Sequence, residues 1–91
     1  MIVAGVIIET APGAAPRVAA RLLHEPGLEL LGGDGDRRLA AMFTGPAGGA
    51  LEALAERLVH AFPDVIGVFP TYVAEDPEEA APGAKPARDP P

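Results

Sequence analysis

The stretch LELLGGDGDRRLAAMFT, Leu28 to Thr44, decides the fold of this 91-residue chain. Leu28 to Leu31 reads as a short strand, and Arg38 to Thr44 reads as a longer one. Between them, Gly32-Gly33-Asp34-Gly35-Asp36 supplies glycines that accept positive φ and aspartates that hydrogen-bond their own backbone, the chemistry of a tight reversal. The centre of the chain is therefore a β-hairpin.

A helix is expected on each side of that hairpin. Upstream, TAPGAAPRVAARLLHEPG (Thr10 to Gly27) places Pro16 in a first helical turn and Pro26-Gly27 at the stop, so a helix should run from about Ala14 to about His24. Val18, Ala19, Leu22 and Leu23 recur at helical spacing as its buried stripe, while Arg17, Arg21 and His24 form a solvated basic row. Downstream, Leu51, Leu54, Ala55, Leu58, Val59 and Phe62 follow the i, i+3, i+4, i+7, i+8, i+11 pattern of a second helix, and Pro63 ends it.

The outermost elements are strands. IVAGVIIE (Ile2 to Glu9) is rich in β-branched residues and too short for a stable helix, with an apolar even side and an odd side that turns polar at Glu9. The closing strand spans Val65 to Ala74. Its Pro70 cannot donate a ladder hydrogen bond, which puts this strand on a sheet edge. The order β-α-β-β-α-β with right-handed crossovers predicts an α+β, ferredoxin-like domain over residues 1–74, its antiparallel sheet ordered 4-1-3-2 with both helices on one face. Residues 75–91, EDPEEAAPGAKPARDPP, contain no large apolar side chain and many prolines, and read as a disordered acidic tail.

Composition removes several chemistries. The sequence has no Cys, Ser, Asn, Gln or Trp, so thiolate metal sites, disulfides and the commonest nucleophiles are absent. His24 and His60 stand on different helices without a third ligand at metal spacing, and no metal or cofactor is expected. The pairs Glu52/Glu56 and Asp34/Asp36 lie on a wet helix face and in a turn, without the desolvated setting that acid–base work needs. The loop Gly45-Pro46-Ala47-Gly48-Gly49 lacks a following Lys and reads as an ordinary connection. No catalytic residue is assigned.

Net charge is −6. Five Arg face eight acidic residues up to Ala74, and two basic residues face five acidic ones beyond it. Both parts repel a phosphate backbone and attract a cationic peptide, so nucleic acid is excluded as the expected partner. The longest apolar run, Ile2 to Ile8, is far short of the roughly 20 residues that span a bilayer, and no Lys or Arg precedes it. The expectation is a cytosolic protein without direct membrane insertion.

Two helices cover only one face of such a sheet. If the even residues of the first strand point to the helices, the open face carries Val3, Gly5, Ile7 and Glu9, joined by Leu31, Ala40 and Met42, and by Phe69 and Thr71 if Pro70 leaves the register undisturbed. An apolar patch of this kind marks a docking surface. The competing reading is that the same face closes a weak homodimer.

At this point the chain resembles the NapD chaperones. The resemblance covers Val3 to about Glu75 and rests on VAGVIIE as first strand, PGLEL (Pro26 to Leu30) after the first helix, the Gly-Asp hairpin, and FPDVIGVFPTYV (Phe62 to Val73) with Tyr72 near its end. It departs from the family pattern at Asp64, where a second Gly is usual, and at Pro70. The resemblance implies a cytoplasmic protein that binds the twin-arginine signal peptide of the periplasmic nitrate reductase catalytic subunit and delays its export until the molybdenum cofactor is inserted. Two other classes share the topology: a dimeric small-ligand regulatory domain of the ACT type, usually fused to another domain, and a dimeric α+β barrel enzyme, which the missing polar residue types disfavour.

Overall fold

A computed structural model describes residues 1–46 and 49–75. Its elements follow in the order β1 (Ile2–Thr10), α1 (Ala15–Leu22), β2 (Leu28–Gly33), β3 (Arg38–Gly45), α2 (Ala50–Ala61) and β4 (Val65–Glu75). All strand pairs are antiparallel, and the sheet is ordered β2-β3-β1-β4, the ferredoxin-like arrangement expected from the sequence. β4 lies on an edge, where a strand carrying Pro70 belongs. Residues 76–91, most of the expected tail, lie outside the described residues, and β4 extends through Glu75.

The alternation read from β1 holds. Ile2, Ala4, Val6 and Ile8 are each buried, together with Leu39, Ala41 and Phe43 of β3, and they join Val18 and Leu22 of α1 and Leu54 and Leu58 of α2 in one core. The period of two in the strands and the helical period in α1 and α2 thus meet at a single interface. Fully burying each of these large side chains contributes roughly 1.5–3 kcal/mol, against the entropy of ordering them.

Three expectations change. α1 is shorter than read: it ends at Leu22, and its C-cap Leu23 is 70% exposed instead of joining the buried stripe, because the side of the helix turned to the sheet is the one that carries Ala15, Val18 and Leu22. β2 is longer than read, taking in Gly32 and Gly33, and a bulge at Leu31 separates the pairs Leu30–Ala41 and Gly32–Ala40. Pro70 does disturb the register of β4. It stands opposite Val6, while Tyr72 stands opposite Gly5, so Thr71 is an inserted residue at a bulge. A residue without an N–H interrupts the ladder, and the extra residue is accommodated there.

α1 has no side-chain cap of its own, and the hairpin loop braces its start, taking up the first helical N–H and one just ahead of the helix. The Asp36 carboxylate accepts a hydrogen bond from the Gly13 N–H at 2.7 Å, and the Asp36 carbonyl accepts one from the Ala15 N–H at 2.9 Å. The loop is held in turn by Asp34, whose Oδ1 accepts from the N–H groups of Asp36, Arg37 and Arg38 at 2.9, 2.9 and 3.0 Å. These donors, the Arg38 N–H foremost, hold the Asp34 carboxyl below its ordinary value. Of the basic row on α1, Arg17 pairs with Asp64 at 2.9 Å and Arg21 stacks over the Phe62 ring, 5.4 Å from its centroid. The row is exposed, as expected, and its two arginines also tie α1 to the α2–β4 segment, though such exposed pairs contribute at most about 1 kcal/mol each.

Candidate functional site: the uncovered sheet face

Odd-numbered residues of β1 point away from the helices, and the strand register builds the open face outward from them in rows. Across the middle, Glu29, Met42, Gly5 and Tyr72 stand side by side on β2, β3, β1 and β4. The next row is Gly32, Ala40, Ile7 and Phe69, with Leu31 projecting at the bulge beside it. Arg38, Glu9 and Gly67 form a third row towards one end, and Thr44, Val3 and Ala74 form the row at the other.

Every residue expected on this face is found there or at its rim. Val3, Ile7, Glu9, Ala40 and Met42 are half-buried, flanked by more exposed neighbours on both edge strands. Leu31 is 60% exposed and Phe69 51%. Thr71 keeps its place in spite of the register shift, because the bulge turns both Thr71 and Tyr72 towards Gly5: the Thr71 hydroxyl donates to the Gly5 carbonyl at 3.1 Å.

Gly5 is buried although it faces outward. A Cβ added there would lie 2.8 Å from the Thr71 Oγ1 and 2.9 Å from the Tyr72 Cε1, closer than packed atoms tolerate, so the glycine makes room for the tyrosine ring to lie across β1. The ring reaches β3, where its hydroxyl donates weakly to the Met42 Sδ at 3.8 Å. Half of Tyr72 stays exposed. The sequence reading left out Tyr72 and Glu29 of the central row, besides Gly32, Arg38, Thr44, Gly67 and Ala74 in the rows around it. For Tyr72 the available signal was Pro70, since a proline in an edge strand predicts a bulge and hence a change of parity beyond it. For Glu29 it was parity alone, because Glu29 lies two residues before Leu31 in the same strand.

The two carboxylates differ in setting. Glu9 lies opposite Arg38, its Oε1 3.7 Å from the Arg38 Nε, and its side chain is 27% exposed. Glu29 is exposed and has no ion pair among the described residues. The face thus presents an apolar, aromatic centre, one neutralised carboxylate and one open one.

Elsewhere the surface offers less chemistry. A groove of about 320 Å³ between α1 and β2 is lined by Ala15, Ala19, Leu30 and Leu39 together with glycines and Pro16, and none of its walls titrates. A second, of about 380 Å³, holds Arg57, already paired with Glu25. His60 points its Nδ1 at the Glu56 carbonyl, 2.9 Å away on its own helix. Among the described residues no group of His, Cys, Asp and Glu is arranged to hold a metal ion, and no helix is long and apolar enough to cross a membrane. No family model, curated protein or solved structure matches the chain.

Proposed function

We propose that the open sheet face binds a peptide in which paired arginines adjoin an apolar stretch, and that the chain acts as a cytosolic chaperone of the NapD type. On this reading its client is the twin-arginine signal peptide of a periplasmic nitrate reductase catalytic subunit, held back from export until the molybdenum cofactor is in place. Binding rather than catalysis is its task. The observation that carries the reading is an apolar, aromatic sheet face, left uncovered by both helices, on a chain of net charge −6.

The magnitudes agree with a working affinity. Ile7, Met42, Phe69 and Tyr72 are large side chains whose further burial contributes up to roughly 1.5–3 kcal/mol each before ordering costs. Micromolar binding requires a net of about 8 kcal/mol. The negative charge adds attraction for arginines at a distance and raises the encounter rate. The likeness from Val3 to Glu75 in strand, hairpin and closing-strand sequence supports the choice of client.

Isothermal titration with a synthetic twin-arginine leader from a nitrate reductase catalytic subunit tests this directly. The expected result is saturable one-to-one binding in the micromolar range. Absence of heat and of any chemical-shift change at high micromolar peptide would sink the reading, and self-association through the same face at those protein concentrations would replace it with the homodimer.

A further inference from the structure

The geometry points to Glu29, together with the Tyr72 hydroxyl, as the acceptor for one guest arginine, with the guanidinium lying over Met42. This rests on the peptide-binding reading above and adds to it where the cation docks and which way the peptide lies.

Glu9 looks at first like the natural acceptor, since it closes the row formed with Val3, Gly5 and Ile7. Arg38 stands directly opposite it on β3, however, with the two side chains 3.7 Å apart. A guest arginine arriving there would displace a resident one and meet its like charge, and Arg38 is itself 62% exposed. Glu29 has neither handicap. It is exposed, it has no ion pair among the described residues, and the residue opposite it is Met42.

Directly opposed residues on antiparallel strands have Cβ atoms about 5 Å apart, so the Glu29 carboxylate flanks the Met42 side chain on one side. Tyr72 flanks it on the other, its hydroxyl 3.8 Å from the Met42 Sδ. A phenol oxygen that donates its proton to sulfur keeps its lone pairs free to accept. The guanidinium is planar, with N–H donors on its rim and weakly hydrated faces. Laid flat on Met42, it donates at one edge to the Glu29 carboxylate and at the other to the Tyr72 oxygen. Gly5 makes this possible, because only its lack of a side chain lets the tyrosine cross β1 to reach Met42.

The arrangement also orients the guest. Its cation lies over Met42 on β3, while the exposed aromatic Phe69 lies on β4, two strand spacings or about 10 Å away. The apolar stretch of the peptide therefore runs diagonally from β3 towards β4.

The test is a double-mutant cycle by titration at low salt, using the full chain and a synthetic peptide containing two adjacent arginines followed by an apolar segment. Glu29→Gln is expected to weaken binding about five- to tenfold, while Glu9→Gln changes it by less than about twofold. In Glu29→Gln, replacing one particular arginine of the peptide by alanine is expected to cost almost nothing more, the signature of a lost pair. Both variants change exposed or half-exposed side chains, and circular dichroism checks that they fold. If the unaltered protein does not bind the peptide, the peptide-binding reading falls and this assignment with it. If it binds, but Glu29→Gln is silent or Glu9→Gln carries the coupling, only the assignment of Glu29 is overturned.

Discussion

At the scale of the residue, the site depends on one position without a side chain. Gly5→Ala would place a methyl group within 3 Å of both Thr71 and Tyr72, and because these are exposed side chains able to move, the expected loss of stability is about 1 kcal/mol, the low end for overpacking. The larger effect is on the ring. Tyr72 is the only tyrosine of the sequence and there is no Trp, so its fluorescence reports this one place, and Gly5→Ala should shift it while leaving the far-ultraviolet dichroism intact. Met42→Glu tests the face itself. An unpaired carboxylate buried under a guest should cost several kcal/mol of binding, measured by titration, whereas the free domain should lose less than about 1 kcal/mol in denaturant melts because Met42 is only half-buried. Unfolding by this substitution would mean that Met42 belongs to the core. Parity made Gly5, Ile7, Ala40 and Met42 legible, since a period of two assigns every residue once one is placed. Tyr72 was not legible by parity, because a bulge changes the count and only Pro70 announces it.

At the scale of the element, α1 is a helix whose start is completed from outside. Asp36→Ala removes the carboxylate that accepts from Gly13 just ahead of the helix but keeps the carbonyl that accepts from Ala15, and the expected cost is that of one hydrogen bond, about 1 kcal/mol, read as a lower denaturation midpoint. Asp34 gives the same loop a pH dependence. Its carboxyl is depressed in the folded state by N–H donors, so its stabilisation is present in full above the ordinary Asp value of about 3.9 and disappears as pH falls through the lower folded value. Acid melts below about pH 4 should therefore be shallower in Asp34→Ala, and equal slopes in the two proteins would deny Asp34 this role. The Gly-Asp composition of the hairpin was readable as turn chemistry, but its contact with α1 was not, since nothing local says which distant N–H a turn aspartate will meet. The end of α1 misled because Leu23 satisfies the helical spacing but lies to one side of the line Ala15, Val18 and Leu22 that the helix buries.

At the scale of the whole molecule, the topology followed from element order alone, because antiparallel pairing, right-handed crossovers and an edge proline leave few arrangements open. What covers the other face does not follow from such rules, and there the net charge of −6 makes a prediction: the association rate with a cationic peptide, measured by stopped flow on Tyr72 fluorescence, should fall severalfold between low and physiological salt while dissociation changes little. An unchanged rate would remove charge from the account of encounter. The pairing of β1 with β4 carries a further consequence, for the order in which the chain becomes a protein. β1 is made first and β4 last of the described elements, yet Ile2 stands opposite Glu75 and Thr10 opposite Val65, so the central strand gains its second neighbour only after almost all the rest has been synthesised. At roughly 5–20 residues per second this leaves a strand rich in Val and Ile waiting for seconds with one edge bare, and contacts so distant in sequence also close slowly. A nascent chain stopped before Val65 should be the species most prone to adhere to its own kind.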